Sequence, residues 1–95
     1  MEILGCIWLD QFVDKIIQKH NVYPEEVEGM LSQNPQIRMV ERGDVKGEDL
    51  YMAFGRSYAG RYLSVLFIMK KGKQALVISA RDMSKRERKS YGRRK

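Results

Sequence analysis

Cysteine and histidine each occur once in this chain, and proline only twice. With Cys6 alone, no intramolecular disulfide and no cysteine-rich zinc site can form. The thiol lies in the apolar run Ile3–Leu9 and reads as a small core hydrophobe. With His20 alone, an acid–base device built from two histidines is excluded. No apolar run approaches the ~20 residues of a membrane span. The N-terminal run follows Glu2 and stops at Asp10, so no signal peptide is expected. A phosphate-cradling glycine loop and a Ser-His-Asp set are also missing, and the carboxylates are scattered. No metal and no cofactor are therefore expected. A soluble, cytoplasmic protein of a reducing compartment fits these absences.

What the chain does have is a concentrated charge. It carries 18 Lys and Arg against 12 Asp and Glu over 95 residues. Residues 81–95 hold eight basic and two acidic residues, so the entire net charge of +6 lies in that segment. Residues 1–80 hold ten of each sign and are neutral. A focused basic element beside an apolar core is the usual footprint of a polyanion partner, most often nucleic acid.

The length allows one domain, residues 1–95, with 93–95 as a frayed tail. Residues 2–8 read as a buried strand ending in a Trp. Asp10 serves as N-cap for a helix to about His20, whose apolar stripe is Phe12, Val13, Ile16 and Ile17. Asn21 closes it. Pro24 opens a second helix with Glu25 and Glu26 at its positive end. Gly29 weakens that helix by ~1 kcal/mol relative to Ala, and Asn34-Pro35 breaks it. Strands follow at Ile37–Glu41, Leu50–Phe54, Arg61–Met69 and Gln74–Ala80, separated by turns at 42–48, Ser57–Gly60 and Lys70–Lys73. Ser84-Lys85-Arg86-Glu87 matches a capping box and starts a helix reaching Tyr91, with Gly92 as its stop. The order β-α-α-β-β-β-β-α with hairpin connections predicts an α+β fold: an antiparallel sheet of about four to five strands flanked by helices.

Three segments together resemble the BrnT-type toxin family, a branch of the RelE-like ribonuclease toxins. They are WLDQFVDKIIQKHNVYPEEVEGML (8–31), LYMAFGRSYAGRYLSVLF (50–67) and VISARDMSKRERKSY (77–91). The first looks like the family's strand-end Trp and its helix ending in Lys-His. The second is similar to two strands around G-R-x-x-x-G-R, and the third to an ending S-A-R…E-R…Y. One departure stands out. Where many members place Asp-Glu directly after the Trp, this chain has Leu9, Asp10 and Gln11. The resemblance implies a RelE-like fold, metal-independent endoribonuclease activity, and neutralisation by a cognate DNA-binding antitoxin in a hetero-oligomer.

Metal-free RNA cleavage uses the substrate's 2′-hydroxyl as nucleophile. It needs a proton acceptor, a donor for the leaving 5′-oxygen, and cations for the phosphate. Arg81, held at the end of an apolar strand, is the foremost cation candidate, against a plain surface role or a pair with Asp82. Arg56 and Arg61 flank the turn Ser57–Gly60. In a hairpin they would crowd together unless an anion lay between them, and the alternative is a pair of solvated turn residues. Glu87 is fully explained as a capping residue, yet it shares a helix face with Met83 and Tyr91. It is thus also a candidate base or a brace for an arginine. Tyr91 is either a proton donor and base-stacking ring or the helix's apolar anchor. His20 lies on the first helix's apolar stripe and is either a partly buried helix-end residue or a proton carrier. The Lys19-His20 match to the family brings the functional reading of His20 level with the structural one and makes Lys19 a candidate RNA contact. Lys85, Arg86, Arg88 and Lys89 are candidate RNA or antitoxin contacts, with a solvated helix face as the alternative. The competing reading is a basic RNA- or antitoxin-binding module that cuts nothing.

Overall fold

The computed structural model describes residues 1–45 and 47–93. They form β1 (Gly5–Ile7), α1 (Asp10–His20), α2 (Pro24–Leu31), β2 (Gln36–Glu41), β3 (Leu50–Arg56), β4 (Tyr62–Lys70), β5 (Gln74–Asp82) and α3 (Lys85–Arg93). The element order and the α+β class are those the sequence predicts. The five strands make one sheet in the order β1-β5-β4-β3-β2. β2 to β5 form an antiparallel meander. β1 departs from the antiparallel expectation and pairs parallel to β5, Gly5 opposite Gln74 and Ile7 opposite Leu76. A parallel partner requires a long connection, and β1 is joined to the sheet's far edge through the two helices α1 and α2.

Several boundaries shift. β1 is shorter than the run 2–8 because its ladder with β5 spans only Gly5–Ile7. β5 extends through Arg81 and Asp82, which pair with Ser64 and Leu63; Arg81 is thus within the strand, not beyond it. Leu9, not Asp10, is the N-cap of α1, and its carbonyl accepts from Phe12 and Val13. Asp10 is the first helical residue, where its charge suits the positive helix end. Asn21 does close α1, in the left-handed conformation at φ 54°. α3 runs past Tyr91 through Gly92 to Arg93. Of the expected frayed tail, Arg93 belongs to α3, while Arg94 and Lys95 lie outside the described residues, as does Lys46 in the expected turn 42–48.

Alternation along the strands divides the sheet into two faces. Leu63, Val65 and Phe67 of β4, with Ala75, Val77 and Ala80 of β5, face α1 and α2 and are buried there among Ile16, Val22, Val27 and Met30. Each fully buried large apolar side chain contributes about 1.5–3 kcal/mol. The opposite face carries Phe54, Tyr62, Ser64 and Arg81, and α3 packs over it through Glu87 and Tyr91.

Two glycines shape the end of the sheet where β3 turns into β4. Gly60 adopts φ +92°, which the tight turn after Ser57 requires. Gly29 allows close approach, since a Cβ there would lie 2.7 Å from the Tyr58 ring. The Tyr58 hydroxyl then meets Ser32 Oγ at 2.8 Å. The helix weakness read in the sequence is the opening through which the turn docks on α2.

Candidate functional site

Register decides which predicted residues meet. Arg56 pairs across the hairpin with Tyr62, so the two share the α3 face. Arg61, one residue earlier, points to the other face, because a shift of one position reverses a side chain. The expected phosphate clamp between Arg56 and Arg61 is therefore absent. Arg61 is engaged elsewhere. Its Nε and Nη2 donate to Asp82 at 2.7 and 3.1 Å, and Nη1 donates to Glu26 at 3.1 Å. The carbonyls of Asn21 and His20 accept from Nη1 and Nη2 at 2.7 and 3.1 Å. Hydrogen bonding to Asp82 raises the Arg61 pKa and lowers that of Asp82. Arg61 thus ties the end of α1, the start of α2 and the end of β5 into one corner. The carbonyl ends of α1 are where a cation is favoured.

His20 and Lys19 belong to that corner too. His20 is half-buried, and its charge contributes a minor lowering of the Asp82 pKa. Lys19 is exposed. Both stand in the α1 layer, across the sheet from Arg81.

The α3 face gathers the rest. Arg81 Nη1 and Nη2 donate to Glu87 Oε1 and Oε2 at 2.7 and 2.9 Å, a bidentate pair. Nη1 also donates to the Asp82 carbonyl at 3.1 Å. Arg81 Nε makes no hydrogen bond among the described residues. Glu87 in turn accepts from Ser64 Oγ at 3.0 Å and from the Ser84 backbone N–H at 2.9 Å. Ser84 Oγ accepts from the Glu87 backbone N–H at 3.1 Å, completing the capping box that the sequence predicts. The hydrogen bonds from Arg81, opposed by burial and aided by Ser84 and Ser64, hold the Glu87 carboxyl at about 2. Ser64 is 1% exposed, so its hydroxyl is a buried group that Glu87 satisfies.

Around this pair stand aromatic rings and further cations. The Arg88 and Arg56 guanidiniums lie 4.0 and 4.9 Å from the Tyr62 ring centre. Tyr91 meets Tyr62 edge-on at 6.0 Å. Arg38 lies 5.5 Å from the Phe54 ring centre. Arg38, Arg56, Arg86 and Arg88 have no carboxylate partner among the described residues. Lys85 and Lys89 are exposed on the same helix. Arg38, Phe54 and Tyr62 were not singled out from sequence, because the strand register that brings them to α3 is a long-range property. No His, Cys, Asp and Glu grouping among the described residues forms a metal-ligand set.

The chain matches, over residues 8–87, the family described as ribonuclease toxin, BrnT, of type II toxin–antitoxin systems. It belongs to the BrnT family. Membership makes it a ribonuclease toxin with an antitoxin partner and an RNA target. The fold agrees with the crystal structure of the Brucella abortus ribonuclease toxin BrnT, with a TM-score of 0.61 at 22% identity over 85% of this chain and 97% of that one. No curated protein matches the chain by sequence. Within the BrnT match lie both Arg81 and Glu87 and the corner held by Arg61. Among the described residues no helix is long and apolar enough to cross a membrane.

Proposed function

We propose that this BrnT-family toxin cleaves RNA on the α3 face of its sheet, without a metal, by attack of the substrate's 2′-hydroxyl on the adjacent phosphate. The observation that carries the reading is the geometry of Arg81. Glu87 grips the end of the guanidinium fork through Nη1 and Nη2. That leaves the side edge, Nε with the second Nη2 hydrogen, for a pair of phosphate oxygens. Arginine's planar fork matches two such oxygens, and a fork already held in place needs no ordering when charge builds on the phosphorane.

Glu87 is a positioning residue in this scheme. A carboxyl held at about 2 is a poor proton acceptor at neutral pH. Arg81 therefore binds and stabilises phosphate, Glu87 fixes its orientation, and Ser64 and Ser84 fix Glu87. The 2′-oxygen bonds to phosphorus, its proton leaves to solvent, and the 5′-oxygen departs with a proton from the Tyr91 phenol. The products carry a 2′,3′-cyclic phosphate and a 5′-hydroxyl. Arg56, Arg86 and Arg88, with Lys85 and Lys89, attract the RNA backbone. Arg61, His20 and Lys19 stay outside the chemistry. The cognate antitoxin, a DNA-binding protein in this reading, forms a hetero-oligomer with the toxin in the cytoplasm and covers the same basic surface with an acidic segment.

The test is cleavage of a labelled mixed-sequence RNA in excess EDTA, with Arg81→Ala alongside. Wild-type fragments ending in cyclic phosphate, lost in a variant with an unchanged melting curve, support the reading. Full activity of a folded Arg81→Ala protein overturns the site. RNA retention without fragments favours a binding module, a reading that the low Glu87 pKa also fits.

A further inference from the structure

Between α3 and the β2–β3 edge lies a cavity of about 180 Å³, whose walls include Gln36, Arg38, Phe54, Arg86, Glu87 and Tyr91. We propose that it takes a single nucleobase of the RNA and sets which base stands beside the scissile phosphate. The proposal deepens the ribonuclease reading and rests on it for the identity of the ligand as RNA.

The size is right for one base. An apolar cavity of about 150 Å³ admits a benzene ring, so this one accommodates one planar heterocycle and not a stacked pair. The walls are right as well. The Phe54 and Tyr91 rings give it aromatic sides, the surface on which an unstacked base rests, while the Ile37 side chain turns to the core face. Phe54 is 9% exposed and therefore fixed in the sheet. Polar groups sit among these walls with capacity to spare. Gln36 Nε2 donates only a long 3.4 Å bond to the Tyr91 carbonyl, and Gln36 Oε1 has no partner among the described residues. One amide side chain thus presents a donor and an acceptor together, the pair that reads a base edge. The exposed Ser90 hydroxyl adds a second contact.

Charge flanks the cavity on both sides. Arg38 comes from the sheet and Arg86 from the helix, both exposed, where they can meet phosphates on either side of a seated nucleotide. Glu87 links this cavity to the reaction centre, since it lines the cavity and also holds Arg81. A base seated here therefore places its own phosphate beside the Arg81 edge.

The test reads binding apart from cleavage. Short 2′-O-methyl homopolymers of A, C, G and U lack the attacking hydroxyl, and their affinity is measured by fluorescence polarisation. One homopolymer is expected to bind about tenfold or more tightly than the weakest. Gln36→Leu, similar in shape but unable to read a base edge, should collapse that preference, and Arg38→Gln should weaken all four alike. Melting curves of both variants check the fold. Equal affinity for all four in wild type overturns the proposal, as does a preference unchanged in Gln36→Leu. Base preference in binding with no cleavage of unmodified RNA upholds the pocket while the nuclease mechanism fails. Cleavage by wild type without base preference in either assay does the reverse.

Discussion

Arg81 and Glu87 lie on consecutive elements, and Glu87 takes both terminal nitrogens of Arg81 while leaving Nε unbonded among the described residues. The pair converts a flexible cation at a strand end into a fixed one. A brace and a base differ in what their loss does. Glu87→Gln keeps one acceptor and removes the charge, so Arg81 is held loosely. The single-turnover cleavage rate should fall about tenfold to a hundredfold while the KM for RNA changes little. Arg81→Lys, which offers a point charge in place of a fork, should fall further, by roughly a hundredfold or more. If Glu87 were the base, the pH–rate profile would lose an acidic limb in Glu87→Gln. An unchanged limb is the expected result.

The same pair governs stability in acid. The folded Glu87 carboxyl titrates at about 2, below its usual 4.5. A depressed folded value means that the contribution is complete above 4.5 and declines as pH falls from there toward 2. The hydrogen-bonded Asp82 carboxyl is lowered too and shares the direction. Melting temperatures taken through this window should drop more steeply in wild type than in Glu87→Gln. Parallel pH curves for the two proteins would contradict the cause assigned here.

Arg61 makes a separate prediction, because its donors are taken up by carboxylates and helix-end carbonyls. Arg61→Ala leaves Asp82, Glu26 and the end of α1 without their shared partner. Breaking several charge-assisted bonds at a quarter-exposed side chain should cost about 2 kcal/mol. For a domain of this size that is a fall of about 10 °C in Tm. Cleavage measured well below the new Tm should persist. A stable Arg61→Ala protein that has lost activity would return Arg61 to the reaction centre.

Local signals account for what the sequence made readable. The helical stripe of α1, the Ser84–Glu87 capping box and the turn glycines all act within a few residues, and the elements form around those signals with ends displaced by a residue or two. Arg81 was singled out because it stands at the end of an apolar run, and the structure places it near the end of β5, beside Glu87. The partition of Arg56 from Arg61 was not, because it depends on a register in which Tyr62 and not Arg61 faces Arg56. The parallel pairing of β1 was equally hidden, since three residues carry no mark of direction. Gln36, Arg38 and Phe54 enter the site only through tertiary contact with α3, and none has a local motif. The basic tail pointed to a polyanion partner, but not to Arg38 of β2 and Arg56 of β3 standing on the same face of the sheet.

Salt dependence tests which face holds the RNA. Each phosphate contact to a single strand releases counterions, and the slope of log K against log salt is about −0.7 per contact. Arg88→Ala removes a guanidinium that lies 4.0 Å from the Tyr62 ring centre and has no carboxylate partner among the described residues. Its slope should flatten by about 0.7, and affinity at low salt should fall. Arg88→Lys keeps the charge, so its slope should stay near that of wild type while some affinity is lost with the planar contact to Tyr62. Lys19→Ala supplies the control. It removes the same charge from the α1 layer, across the sheet, and should leave the slope where it was. Flattening in Lys19→Ala with none in Arg88→Ala would move the RNA to the other face. It would also restore His20, the half-buried neighbour of Lys19, as a group able to reach the substrate.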